Sequence, residues 1–362
     1  MNIRYTTLVA ILLAASAAHA DEGLDYKFSG FGTVGAVRTN TDEGEYRSGL
    51  RQGNGAKKSL DFGVVSRVGL QGNVQFNSTF SAVGQVLTSH RDGQDGPQVE
   101  WLFGQAKLAP WADVRLGRMV LPVFMQSDTR NVGFASHWIH APHEVYDTYP
   151  PTSFDGIQAV LRAQWGGINF TAQPSWGKTE SSLYYALLPG RSKLKYSHLS
   201  GLNLSAESGD WTVRYGTVIG KDATFVNPVM TVAAGGDHDR FSGVGLQYDN
   251  GSLLFLSEYT TRRQSTGMFD SNGYYVSVGY RIDAWLPYVS TGKFDPKGFG
   301  WGGAAKDSTE SAGLRWDAMK NIAVKYQYES TTPNFQFANG TAAFVAANNR
   351  VRVHSVAVDF VF

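Results

Sequence analysis

The residues with the greatest chemical capacity crowd into one stretch, 120–152, where His137, His140, His143 and Glu144 follow one another at short intervals. Three imidazoles and a carboxylate are metal-ligand types. Their spacing is not the His-Glu-x-x-His pattern that puts two ligands on one helical face beside a general base, and Pro142 interrupts any helix that would gather them. No metal is assigned to them. The same stretch holds Asp128, Arg130 and Asp147 among Phe124, Phe134, Trp138, Tyr146 and Tyr149, with Pro142, Pro150 and Pro151 restricting it. That is the make-up of a compact, charged loop, and a loop this long without structure of its own usually has a role. Fixed charges of this kind act on ions by attraction and repulsion rather than by bond-making, most strongly where low-dielectric walls focus their field.

Other constellations are weaker. Asp237-His238-Asp239 reads as solvated loop charge. Gly30-Phe31-Gly32 and Gly243-Val244-Gly245 lack the helix that a dinucleotide site requires, and neither a Gly-x-Ser-x-Gly elbow nor a phosphate-binding lysine loop occurs. Cysteine is absent, which removes disulfides, thiolate metal sites and cysteine nucleophiles. No catalytic residue and no cofactor is expected. With Lys+Arg 32 against Asp+Glu 31 the net charge is +1, so no one-signed field recruits nucleic acid.

The elements that must position these residues have a period of two. Clear runs are Leu60-Phe62-Val64, Trp211-Val213-Tyr215-Thr217-Ile219, Tyr274-Val276-Val278-Tyr280, Ile322-Val324-Tyr326-Tyr328 and Val356-Val358-Phe360-Phe362, each with small or polar residues between. About sixteen strands are predicted, near 25–38, 58–71, 79–89, 98–109, 112–120, 153–165, 167–176, 197–207, 210–220, 239–250, 252–263, 272–283, 285–293, 308–317, 320–331 and 350–362. Tight turns such as Gly166-Gly167 and Asp249-Asn250-Gly251 alternate with much longer connections. Trp111, Trp165, Trp211, Tyr248, Trp285 and Trp316 gather beside the short turns, as an interfacial girdle would.

Low charge (17%), many glycines (41) and this rhythm predict an all-β, transmembrane antiparallel β-barrel with short periplasmic turns and long extracellular loops. In hydrocarbon every backbone polar group needs a partner, so the last strand must pair with the first. Met1 to Ala20, with Arg4, an apolar stretch and Ala18-His19-Ala20, reads as a signal peptide cleaved after Ala20, leaving 21–362 as one domain. By parity the water-facing wall carries Arg67, Arg115, Arg162, Arg214, Arg281, Arg315 and Lys325 against Asp61, Glu207, Glu258, Asp283, Asp317, Glu329 and Asp359. The facing of 98–109 stays open between Trp101-Phe103 and Leu102-Leu108, and Arg352 and His354 fall on the lipid side.

The ending Val358-Asp359-Phe360-Val361-Phe362, together with Arg115-Leu116-Gly117-Arg118 running into a long third loop, resembles the trimeric porins of Gram-negative outer membranes. The resemblance implies sixteen strands, a water-filled pore in each subunit of a homotrimer, a third loop folded inward as a constriction, and Phe362 as the signal read by the barrel-assembly machinery. Outer-membrane lipid and lipopolysaccharide would surround it, and small hydrophilic solutes would pass. The expected constriction residues are Asp128, Arg130, Trp138, Glu144, Tyr146 and Asp147, facing a basic wall of Arg67, Arg115, Arg162, Arg214, Arg315 and Lys325 with mild anion preference. The alternatives are a substrate-selective channel with Trp138, Tyr146 and Tyr149 as a binding track, and a closed barrel acting as adhesin or enzyme.

Overall fold

The computed structural model describes residues 24–90, 96–184, 190–228, 231–234, 236–298, 306–332, 337–338 and 350–362; the expected signal peptide lies outside them. Sixteen strands form the wall: β1 (Asp25–Thr39), β2 (Arg67–Gln75), β3 (Phe80–Ser89), β4 (Pro97–Ala109), β5 (Ala112–Val120), β6 (Ser153–Trp165), β7 (Ile168–Leu183), β8 (Ser192–Ser208), β9 (Trp211–Val226), β10 (Asp239–Asp249), β11 (Leu253–Gln264), β12 (Ser271–Tyr280), β13 (Trp285–Pro296), β14 (Asp307–Met319), β15 (Ile322–Thr331) and β16 (Val351–Val361). Each pairs antiparallel with its neighbours in sequence, and β1 pairs with β16 from Phe31↔Val361 to Thr39↔Val353. Gly30 and Phe362 complete the seam with reciprocal backbone bonds of 2.8 and 2.9 Å. The sheet has no edge, which is the condition for strands to cross hydrocarbon.

Alternation decides what faces out. On β12, Tyr274, Val278 and Tyr280 are exposed while Ser271, Gly273, Tyr275, Ser277 and Gly279 are buried inside. Large apolar side chains such as Leu116 (66% exposed) and Trp165 (80%) stand on the outer face, where only lipid can cover them. The aromatic girdle is present at the short-turn rim: Trp285 stacks on Trp316 at 5.3 Å and Trp211 meets Tyr248 at 4.5 Å, both across paired strands. The rings of Phe360 and Phe362 lie over Gly32 and Gly30, where any β-carbon would collide with them.

Two expectations are corrected or resolved. Leu60-Phe62-Val64 is not a strand: the Asp61 carboxylate accepts from the amides of Gly63 and Val64 at 2.8 and 2.9 Å, closing a local turn, so β2 begins only at Arg67. Asp61 therefore sits off the wall, joined to β1 by one bridge to Val37. On β4, Leu102 and Leu108 face lipid and Trp101 and Phe103 face inward; a register shift at Gln85/Val86 also sends Val99 outward, which is why no single parity fits the run. Arg352 and His354 keep the parity of β16 and stand outside, His354 Nδ1 lying 2.9 Å from the Tyr326 hydroxyl.

Candidate functional site

The third loop, residues 121–152, leaves β5 and crosses the lumen. Its first segment lies on glycines of the far wall: β-carbons at Gly216 and Gly243 would meet the backbone of Val123, and one at Gly245 would strike Met125. Charged wall residues fasten it. The Met125 amide donates to Glu258 Oε2 at 2.8 Å, and Arg214 Nη1 donates to the Met125 carbonyl at 2.9 Å. At the tip, a 3₁₀ turn at Gly133–Ala135 rests against β1 and β16. Lys325 Nζ donates to the carbonyls of Gly133 (2.7 Å) and Trp138 (3.3 Å) while paired with Asp359 at 2.8 Å. Arg315 donates to the carbonyls of Phe134 and Ser136, both at 2.7 Å.

The return limb is held as densely. Gln327 Oε1 accepts from the amides of Ile139 and His140 at 2.6 and 3.1 Å. The three histidines that lie close in the sequence are dispersed in the structure: His137 Nε2 reaches Ser277 Oγ and His140 Nε2 reaches Ser355 Oγ, each at 2.8 Å, whereas His143 turns to Asp307. Helix α1 (His143–Tyr146) then packs on β12 and β13, with Tyr146 donating to Glu258 Oε1 at 2.6 Å and Arg262 Nη1 donating to the Thr148 carbonyl at 3.2 Å.

Burial sets the charge of the loop. His137 and His140 are stripped of solvent, which lowers both to about 3 and leaves them neutral. Burial also works against charge on His143, but the Glu144 and Asp307 carboxylates outweigh it and push its pKa up to about 10. Asp147 is raised to about 6, chiefly by desolvation.

This sorts the residues expected to act. Glu144 is fully buried behind the loop and does not face a pore. Trp138, Tyr146 and Tyr149 are 3%, 4% and 1% exposed and pack with Phe124, Phe241 and Tyr275 as the loop's own core, with their edges on the space beside β2 to β4. Arg214, Arg315 and Lys325 are loop fasteners, and Arg162 is paired with Asp113 at 2.8 Å beside the short-turn rim. Open space remains on both sides of the loop. Beside β2 to β6 a cavity of about 150 Å³ is lined by Arg51, Arg67, Arg130, Glu100 and Asp147, and a second of about 300 Å³ by Arg115, Asp128, Gln71 and Gln158; beside β10 to β14 a third of about 330 Å³ is lined by Asp249, Arg281, Arg315 and Asp317. Of the expected residues, Arg67, Arg115, Asp128, Arg130, Asp147 and Arg315 thus border open space, with Trp138 and Tyr146 at the edge of the first cavity. Arg130 means that the loop contributes positive as well as negative charge to it.

Arg51 and Glu100 were not legible. Arg51 belongs to the first loop, whose inward fold carries no local signature, and Glu100 sits at the register shift of β4 where period-two reading breaks.

A family model described as Gram-negative porin matches residues 6–348. No curated protein matches the chain. Among solved structures it is similar to OmpF of Salmonella typhi in complex with daunomycin (TM-score 0.63, 15% identity, 95% of this chain and 99% of that one). It is also similar to an anion-selective porin from Comamonas acidovorans (0.62, 13%, 94% and 100%) and to the outer membrane channel DcaP of Acinetobacter baumannii (0.59, 10%, 95% and 99%).

Proposed function

This chain belongs to the Gram-negative porin family, and we propose that the diffusion path of this outer-membrane channel runs between the third loop and the wall of β2 to β6. The channel passes small hydrophilic solutes passively; in our reading no bond is made or broken on the way. The observation that carries the path is the pair of polar spaces on that side: Arg67 and Gln71, inward positions of the same strand, line the first and the second respectively. On the far side the loop is bonded to the wall by Arg214, Glu258, Arg315 and Lys325, around a third space in which Arg281 and Arg315 are balanced by Asp249 and Asp317. Purified protein in a planar bilayer is expected to give discrete conductance steps, and folded protein without conductance overturns the reading in favour of a closed barrel.

Selectivity follows from the same residues. Arg67, Arg115 and Arg130, with Arg51, outnumber Asp128, Asp147 and Glu100 around the two spaces, which supports a mild anion preference. Arg67→Glu and Arg115→Glu each exchange a positive for a negative charge and are expected to move the reversal potential in a salt gradient towards cations. Unchanged potentials in both variants would take these arginines out of the selective region.

Asp147 adds a pH dependence. Because its carboxyl is held up near 6, it takes a proton as pH falls from 7.5 to 5, and the space it shares with Arg51, Arg67 and Arg130 loses a negative charge while the arginines keep theirs. Anion preference should therefore rise on acidification, and Asp147→Asn should abolish that rise. A reversal potential independent of pH over this range in the unmodified channel counts against it.

For partners, we propose a homotrimer joined through β2 to β4. Outward positions there (Val68, Leu70, Val74, Phe80, Ala82, Val86, Val99, Leu102) carry no charge. Lipopolysaccharide would meet the opposite wall, where Arg240 and Arg263 oppose each other across β10 and β11, a repulsion that a lipid phosphate relieves. Native electrophoresis should show a trimer that Leu102→Arg dissociates, and a lipopolysaccharide-induced shift that Arg240→Ala with Arg263→Ala removes; a monomer with no shift refutes both.

A further inference from the structure

The dispersal of His137 and His140 leaves His143 in a different cluster, made by residues far apart in sequence. Its Nε2 lies 2.8 Å from Asp307 Oδ2 at the start of β14 and 3.4 Å from Glu144 Oε1, and one donor atom from each of the three falls within 4.8 Å of the others. All three side chains are buried, Glu144 completely. The Glu144 carboxylate has few donors: His143 Nε2 stands 3.4 Å from Oε1, and the neighbouring Thr309 hydroxyl is shared with Thr331, to which it donates at 2.8 Å. The Glu144 carboxylate is pressed onto Gly292, where a β-carbon would displace it, so the wall is cut away for this group.

A carboxylate with so few donors is costly to bury. Three carboxylates, Glu144, Asp307 and the Glu329 that lines the same small cavity, gather around the one imidazole of His143. Asp307 is served separately by Thr332, whose hydroxyl donates to its other oxygen at 2.5 Å. A divalent cation fits this arrangement, because it would ligate the three donor atoms that already lie within 4.8 Å of one another.

We propose that His143, Glu144 and Asp307 form a binding site for a zinc-class divalent transition metal, which pins the returning limb of the third loop to β14. One imidazole nitrogen with two carboxylate oxygens suits zinc, cobalt or manganese rather than calcium, which takes six to eight oxygens. Donors placed about 2.0–2.2 Å from a common centre stand about 3 Å apart, the spacing of the two measured pairs. Bound through the neutral imidazole and two carboxylates, a divalent cation leaves the cluster with no net charge. The binding does not depend on the path assigned to solutes, because it is read without any conductance measurement.

The test uses the full-length protein in detergent, stripped with a chelator and titrated with Zn2+ by calorimetry. We expect one saturable Zn2+ per chain, and affinity about ten-fold or more weaker in Glu144→Gln and Asp307→Asn. His354→Gln, on the outer wall, should bind as the unmodified protein does. Saturable binding that Glu144→Gln and Asp307→Asn leave unchanged, or none at all, overturns the site. Should those variants fail to fold, Co2+ added to the unmodified protein decides the matter. A visible spectrum altered from that of the aqueous ion, and reversed by Zn2+, supports the site; the spectrum of the aqueous ion refutes it.

Discussion

Lys325→Met is expected to free the tip of the third loop and to destabilise the barrel by about 3–5 kcal/mol, the usual consequence of stranding one member of a buried ion pair. Lys325 and Asp359 are each 2% exposed and stand 2.8 Å apart, and the same ammonium holds the Gly133 and Trp138 carbonyls. Without it Asp359 keeps, among the described residues, the Thr33 hydroxyl at 2.5 Å and the attraction of Arg67. The tip loses both carbonyl contacts, so open-channel noise should increase together with a lower thermal unfolding temperature. Lys325→Met combined with Asp359→Leu removes both charges and should recover most of the stability without restoring the tip contacts. If the single variant unfolds like the parent and its channels are as quiet, the ion pair does not hold the loop.

The second large effect is expected at Gly273→Val. A β-carbon there would meet the carbonyl oxygen of Glu144, and a branched side chain on a strand has little rotamer freedom with which to avoid it. The wall is continuous sheet and cannot recede, so the loop must move away from β12 towards the open side. Overpacking of this kind costs about 1–3 kcal/mol. It should lower the single-channel conductance, because the displaced limb enters the space lined by Arg67 and Arg130. Gly84→Ala is the control: that glycine faces lipid, and its nearest neighbour is Leu102 at 3.8 Å. Equal conductance in Gly273→Val and Gly84→Ala would mean that the loop does not rest on β12 as described.

Both variants act at contacts that join residues more than a hundred positions apart, and this marks the boundary of what could be read in advance. The wall was legible because its rule is local. A strand turns every second side chain to lipid, so Tyr274-Val276-Val278-Tyr280 and Val356-Val358 announce their face without any knowledge of neighbours. The rims were legible for the same reason, short glycine turns beside tryptophans being a local pattern. Leu60-Phe62-Val64 misled because an aspartate side chain competing for backbone amides outweighs periodicity over so short a run.

Inside the barrel, parity says only that a side chain points inward. It does not say whether water or the third loop meets it there. Arg67 and Lys325 are both basic and inward-facing in the strand pattern, yet one lines an open cavity and the other is sealed beneath the loop. Glu144 and Asp147 are three residues apart, and one is buried against Gly292 while the other borders the water-filled space. The amino-acid sequence by itself determined a closed amphipathic wall, because alternation and backbone pairing in hydrocarbon admit no other arrangement. Only the tertiary structure decided which charges fasten the loop and which meet the solute, because that depends on where one long segment lands on a wall that is polar and glycine-rich along its whole inner face.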